Sequence, residues 1–565
     1  MTVKRKKKNG RVYLEEYKSI RINGEVKSIY IRSLGPEKPV IKTKTPKPKV
    51  LDRLQHGPSH KAGDVTLLWE LACQLDYVDT IDGICCGEKG IEGISPGKIL
   101  TAWAINRVID PISATKLEKW VPTTDLPRLM GISPADFTKN AFLTALDFVC
   151  YEEKKARQII DFSPQIDDAL YRKWRQRHPL QPGEKETLAY DLTSVLFFGV
   201  TCPLAELGAN PKKIKRLQMN LALVVSSREK FPLTHFVYNG NRNSVSTIKN
   251  LITRLQESST EKGTIIWDRG SVSNKYVNTI EQAGWKLICG VPKSVNDALE
   301  ILKKTNIDYS WDTLVRSSKS GRIYATKVRG VLYGKERSVV VYANRQRRVR
   351  DGDSRNDALA SIEEALQALA ENCSKMKENE IRKEAKKIIG DFKDFIDFRI
   401  KRKGNGPRLI WKFKKKEIRK AEKLDGLWLL LSTDPSLSAK EVVNLYVEKD
   451  FIEKVFRTLK THEEVEPVRH RLETRVRGYL FLCVLAYRLI ADLQHHLREV
   501  SDHDDTWERT DTLLHRLGRV ERVQIRLGHQ VKTWYLNVTG KVQKTLDKMG
   551  FQNMFKEKLE VDFKM

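Results

Sequence analysis

Between residues 187 and 291 the hydrophobic pattern changes its period, and that change constrains the fold more than anything else in the chain. The segments "TLAYDLTSVLFFG" (187–199), "MNLALVVSS" (219–227) and "FPLTHFVYNG" (231–240) are β-rich runs joined by loops, which predicts an antiparallel meander. The pattern then alternates: "SVSTIKNLITRLQES" (244–258) reads as helix, "GTIIWDRG" (263–270) as buried strand, "SNKYVNTIEQAG" (273–284) as helix and "WKLICGV" (285–291) as strand. Strands followed by alternating helix and strand predict an α/β core with a mixed sheet. The period breaks after 291 and resumes at "DGLWLLLSTD" (425–434), a strand. Residues 292–426, with the hairpin-like "GRIYATKVRGVLYGKERSVVVYA" (321–343) and a highly charged helical stretch, read as an inserted, β-containing subdomain.

The flanking regions read differently. Residues 11–34 alternate and pivot on Asn23-Gly24, a strong hairpin signal. Prolines and lysines at 35–50 predict an extended basic linker. From 62 to 178 apolar residues recur at helical spacing, with Ser95-Pro96 and Ser133-Pro134 as N-cap and first-turn pairs. Beyond the resumed strand come a capped helix starting near Ser436–Ser438, a long apolar helix "HRLETRVRGYLFLCVLAYRLIADLQHH", and a tail with a helix and a hairpin (522–538). The expected organisation is a hairpin arm and linker (1–50), a helical domain (51–180), a core in two parts (186–291 and 427–498), the insertion (292–426) and the tail (499–565). A chain of 565 residues exceeds what one ordinary hydrophobic core serves.

Charge narrows the partner. Lys and Arg number 102 against 72 Asp and Glu, a formal net charge of +30, which favours a polyanion whose counterions are released on binding. Nucleic acid leads, and the helices of 62–178 would serve either as its binding domain or as a purely structural bundle. The eight cysteines form no C-x-x-C pair, which points to a reducing compartment. "MTVKRKKKNG" has no apolar stretch behind it, so it is not read as a secretory signal. No run is long and apolar enough to span a membrane, and "GYLFLCVLAYRLIADL" reads as a buried helix. Walker, dinucleotide-binding and H-E-x-x-H motifs are missing, which removes nucleotide hydrolysis and zinc proteolysis. The basic run at 4–8 is expected to be disordered, His495-His496 to be a solvated helix end, and His470 to be either structural or a phosphate contact.

Three acids stand out. Asp191 interrupts an apolar strand, where a carboxylate is costly without a partner or a metal. Asp268 ends the "TIIW" strand, where α/β sheets place ligands. Glu453 lies in "NLYVEKDFIEKVFRTLK" (444–460), read as one helix. There Tyr446, Lys449, Glu453 and Lys460 fall within a stripe roughly 60° wide, and Phe451, Ile452, Val455 and Leu459 project oppositely. Singly, Asp268 reads as a turn residue and Glu453 as part of a solvated face, while Asp191, internal to its strand, stands evenly between a structural and a catalytic reading. Jointly they suit hard divalent cations, which take oxygen ligands and hold phosphates.

On these residues the chain resembles the DDE transposases of the IS4 superfamily, and most closely their IS1634-like branch. That superfamily carries a late motif Y-x2-R-x3-E-x6-K, whose spacing Tyr446, Lys449, Glu453 and Lys460 match, with lysine in place of arginine. "YDLTSVLFF" is similar to the branch's Y-D-x-T pattern and "WDRGS" to its D-R-G element, with Ser271 where many members have an aromatic residue. The likeness runs from near residue 11 to about 490. It implies an RNase H-like core interrupted by a largely β insertion, with Asp191, Asp268 and Glu453 as the catalytic ligands of two Mg²⁺ (or Mn²⁺). It also implies that Tyr446, Lys449 and Lys460 bind DNA phosphates. The expected partners are double-stranded DNA, both terminal inverted repeats and target, and a second copy of the chain in a synaptic homodimer. The implied reaction is cut-and-paste: water cleaves the element's ends and the freed 3′-hydroxyl attacks target DNA, in a prokaryotic cytoplasm at the nucleoid. Two other readings stand beside it, a nuclease that does not join strands and a transposase-derived DNA-binding protein without catalysis.

Overall fold

The computed structural model describes the chain except residues 23–24, 38–53, 88–92, 211–212, 243, 259, 269–272, 319–320, 403–405, 501–505, 528–529, 557 and 562–565. Two units are distinguished, one made of residues 1–57, 524–532 and 559–565 and the other of 58–523 and 533–558.

In the first unit the basic run does not stay disordered. Strand β1 (Thr2–Lys8) pairs antiparallel with β2 (Arg11–Ile22), and β2 with β3 (Glu25–Pro36). The cross-strand neighbours explain it. Lys6 lies 3.5 Å from Glu15 and Lys4 sits 4.9 Å over the Tyr17 ring, so the lysines have partners of the kind that stabilise paired strands. The expected Asn23-Gly24 turn and most of the expected linker lie outside the described residues.

In the second unit the apolar runs become strands of one ten-stranded mixed sheet. In chain order its main members are β4 (Thr187–Leu196), β5 (Leu217–Ser226), β6 (Pro232–Asn239), β7 (Thr264–Trp267), β8 (Lys286–Val291), β9 (Leu314–Ser318), β10 (Gly321–Leu332) and β11 (Lys335–Asn344). A separate hairpin, β12 (Ile396–Arg402) and β13 (Pro407–Phe413), precedes the returning strand β14 (Leu427–Ser432). The order across the sheet is β6-β5-β4-β7-β8-β14-β11-β10-β9, with β4, β7 and β8 parallel and the other neighbours antiparallel.

That order corrects the expected insertion. The hairpin of 321–343 extends the main sheet through β11 on β14 instead of standing apart. The reason lies in "SVVVYA": Val339, Val340, Val341 and Ala343 are all buried, and a strand apolar on both faces needs layers on both sides. What does form a separate core is the helix α1 (Arg345–Asn372), the helix α2 (Glu378–Ile389) and the β12-β13 hairpin, through Leu366, Cys373, Ile381, Ile396 and Leu409.

The helical region of 62–178 is not separate either. The 27-residue helix Glu473–Glu499 (α3) is apolar nearly all round and buries Leu480 through Leu493 without a break. Such a helix must be covered on every side, and helices from the earlier region cover it. Tyr77 donates to the Leu485 carbonyl at 3.2 Å and Trp174 Nε1 to Asp492 at 3.0 Å. Among the described residues no helix is long and apolar enough to cross a membrane.

Candidate active site

The register of the parallel strands brings the first two acids together. Trp267 on β7 pairs with Tyr190 on β4, so the next residues, Asp268 and Asp191, occupy adjoining positions on neighbouring strands about 4.8 Å apart. Alternation sends Tyr190 and Trp267 to the opposite face, where both are buried and the Tyr190 hydroxyl donates to Thr247 Oγ1 at 2.6 Å. Burying an indole such as Trp267 stabilises the fold by about 2–3 kcal/mol, and it also dictates which face the following aspartate takes.

The third acid arrives from the helices packed over the acid-bearing face. Ile266, Ile288, Val340 and Leu430 of the sheet form one cluster with Val442 and Val443, which belong to helix α4 (Ala439–Glu448). The helix starts where expected. Ser438 Oγ accepts from Glu441 N at 3.2 Å and Glu441 Oε2 accepts from Ser438 N at 2.8 Å, a reciprocal cap whose loss costs about 1 kcal/mol.

The expected single helix is in fact two. Helix α4 ends at Glu448 and α5 runs Phe451–Thr461. Across the junction Asp450 N bonds Val447 O, Ile452 N bonds Lys449 O and Glu453 N bonds Asp450 O, each three residues back. Such tight turns advance further per residue than an α-helix, so the four-residue stripe does not keep one direction. Phe451, Ile452, Val455, Phe456 and Leu459 still form the buried face.

The side chains divide accordingly. Tyr446 donates to Asp268 Oδ1 at 2.9 Å, and the Lys449 ammonium stands 3.8 Å from the same oxygen and 5.3 Å from the Tyr446 ring centre. Lys449 is buried although charged, while Asp268 and Glu453 are exposed and Asp191 is half-buried. Burial raises the Asp191 carboxyl to about 6. The charges of Asp268 and Glu453 add to the rise, and the Leu192 N–H and the Lys449 charge oppose it. Burial and Asp268 push the Tyr446 phenol well up, so it stays a donor. Asp191, Asp268 and Glu453 thus share one electrostatic neighbourhood with Lys449.

Lys460 is not in that group. Its Nζ donates to the Ser194 carbonyl of β4 at 2.5 Å and lies 3.8 Å from Glu466, so it fastens the strand that carries Asp191. His470 is half-buried. Its ring packs 5.3 Å from Tyr479 and burial lowers its pKa to about 4. Arg269-Gly270 and Ser271 lie outside the described residues.

One participant is new. Asp450, at the junction, has its carboxyl raised by burial, with Glu453 and Asp268 adding to the effect and Lys449 and Arg316 opposing it. It lies four residues beyond Tyr446 and three before Glu453, the helical spacing that selected its neighbours, so the signal was present in the sequence.

Carboxylates alone make a donor set for a hard divalent cation, and the raised Asp191 carboxyl marks a place where positive charge is wanted. Among the described residues the three acids do not form a group with ligand atoms within 4.8 Å of one another; that grouping occurs elsewhere.

Residues 182–489 match the family model described as "Transposase DDE domain". This is more than half of the 565 residues, and the chain belongs to that family of transposases, whose domains generally use divalent metal ions. No curated protein sequence matches the chain. Among solved structures, it is similar to the cryo-EM structure of the piggyBac transposase synaptic complex with hairpin DNA, at 13% identity and a TM-score of 0.37, covering 82% of each chain. A likeness that remote carries no argument about this fold or site.

Proposed function

We propose that this chain is the cut-and-paste transposase of an insertion sequence in the IS4 superfamily, of the IS1634-like branch, working in the cytoplasm on nucleoid DNA. Its sheet is read as an RNase H-like core, and Asp191, Asp268 and Glu453 as the ligands of two Mg²⁺ or Mn²⁺. The observation that carries the reading is their arrangement: two acids on adjoining parallel strands and a third on the helix above, each charge acting on Asp191. When bound, such ions activate a water and stabilise the leaving oxygen of a phosphodiester.

The chain's own groups do the rest. Tyr446 fixes one oxygen of Asp268. Lys449 moderates the carboxylate repulsion and is assigned a DNA phosphate contact, one that positions without reading sequence. Lys460 serves indirectly, by holding β4. The helices of 51–180 are assigned to the terminal inverted repeats, and two copies of the chain to pairing the two ends.

The test is cleavage and joining by the full chain, with duplexes carrying the inverted repeats that flank its coding region, in Mg²⁺. The reading expects 3′-hydroxyl ends that become joined to target DNA. It also expects Asp191→Asn, Asp268→Asn and Glu453→Gln to abolish both steps while DNA binding persists. Cleavage without joining makes the chain a nuclease. Cutting by all three variants at the parent's rate removes the site assignment.

A further inference from the structure

The group of ligand atoms found elsewhere lies where the helix Ser163–Arg177 (α6) meets the end of α3. His178 caps α6, and His495 and Glu499 stand four residues apart on α3, so they share one face. One ligand atom from each of His178, His495 and Glu499 lies within 4.8 Å of the others.

Their surroundings argue against a solvated helix end, the expectation for His495-His496. The Nε2 atoms of His178 and His495 are both sealed from solvent, and neither makes a hydrogen bond. A buried ring nitrogen without a hydrogen-bond partner is costly. The two rings approach to 4.1 Å between centres, edge to face, and Trp174 packs against both, at 5.2 and 5.8 Å. Beside them Asp492, buried and held by Trp174 Nε1 at 3.0 Å, has an oxygen 3.5 Å from His178 Nε2.

We propose that His178, His495 and Glu499 bind a divalent transition-metal ion of the zinc class. Two imidazole nitrogens and a carboxylate suit such an ion and not magnesium, which takes oxygen ligands. His495 Nε2 and Glu499 Oε1 are 3.3 Å apart, close to the roughly 3.4 Å edge of a tetrahedron with metal–ligand bonds near 2.0–2.1 Å. The His178 ligand atom lies within 4.8 Å of both. Glu499 is the exposed member, so the ion enters from solvent, and the remaining position falls to water or Asp492.

The site's place gives it a role. Helix α6 leads through residues 178–186 into β4, which bears Asp191, and α3 is the buried helix at the centre of the unit. An ion shared by the ends of α6 and α3 ties these two elements together. The role is a structural brace, separate from the carboxylates and independent of the reading given to them.

The experiment is zinc binding by the full-length, chelator-stripped protein, with excess Mg²⁺ present to occupy carboxylate sites. Calorimetry should show one tight Zn²⁺ per chain, and the thermal midpoint should rise with Zn²⁺. Cobalt(II) should give the intense visible bands of a tetrahedral site. Glu499→Gln, at the exposed end and tolerant of the change, should weaken binding at least about tenfold, as should His495→Gln, whereas Asp191→Asn should leave it unchanged. The proposal is overturned if the chain takes up no tight zinc, if both ligand variants bind like the parent, or if Asp191→Asn abolishes binding.

Discussion

Two buried or half-buried aspartates in the same unit live in opposite electrostatic settings. Asp167, on α6, is fully buried. One of its oxygens accepts from Thr234, from the His235 N–H and from the His235 ring at 3.2, 3.0 and 2.7 Å. The other lies 2.9 Å from the Arg488 guanidinium, itself fully buried. Burial pushes that carboxyl up, but the charges of Arg488 and His235 and their hydrogen bonds outweigh it and hold it well below the ordinary range. Asp191 has the reverse balance: burial and two neighbouring acids win over one N–H and Lys449. A structural acid is given its partners by the chain. A functional acid is left short of them, to be completed by something that binds.

The largest effect expected from this contrast is on chemistry. Asp191→Asn, Asp268→Asn and Glu453→Gln should each lower single-turnover DNA cleavage by about 10³-fold or more, the several kcal/mol of charge stabilisation a bound cation supplies. Their thermal midpoints should not fall below the parent's, and without divalent metal at neutral pH that of Asp191→Asn should rise. Next, Asp167→Ala strands a buried guanidinium and should cost about 3–5 kcal/mol in urea unfolding. If that variant unfolds like the parent, the two settings are not different in kind.

The pH dependence sharpens the same comparison, because the two acids carry opposite signs. Asp191, raised to about 6 in the folded chain against about 3.9 unfolded, favours folding most when protonated. Stability should therefore fall as pH rises from about 4 to about 6, by about 3 kcal/mol without divalent metal, and stay level above. Asp167, depressed in the folded chain, contributes stability above about pH 4 that is lost on acidification. Subtracting the unfolding profile of Asp191→Asn from the parent's should isolate the first slope; a difference that does not vary with pH would remove the claim that Asp191 is under-partnered. The smallest effect is at the cation. Lys449→Met should slow cleavage about tenfold, roughly 1.4 kcal/mol, and further raise the Asp191 carboxyl.

What the sequence made legible was local. The β4 run with its internal acid, the buried TIIW strand, the return strand and the Ser438 cap all follow from period, apolar runs and capping residues, and they place Asp191, Asp268 and Glu453. What was missed depended on partners far along the chain. The lysines of β1 read as a disordered run until Glu15 and Tyr17 sit across from them. The 321–343 hairpin looked self-contained because nothing in it names β14 as its neighbour. The break at Lys449-Asp450 is invisible to a 100° wheel, since both residues keep right-handed helical angles and only the hydrogen-bond spacing shortens. Asp450 shares the helical spacing of Tyr446 and Glu453 but is no position of the four-residue motif. His178 and His495 are 317 positions apart, and no spacing rule connects them.

The central claim is that Asp191, Asp268 and Glu453 act as one cation-binding group. Its most direct test is calorimetric Mn²⁺ titration of the parent chain beside the Asp191→Asn, Asp268→Asn and Glu453→Gln variants. The account predicts that each single substitution weakens the parent's Mn²⁺ uptake by at least about tenfold. Uptake by Glu453→Gln indistinguishable from the parent's would contradict it.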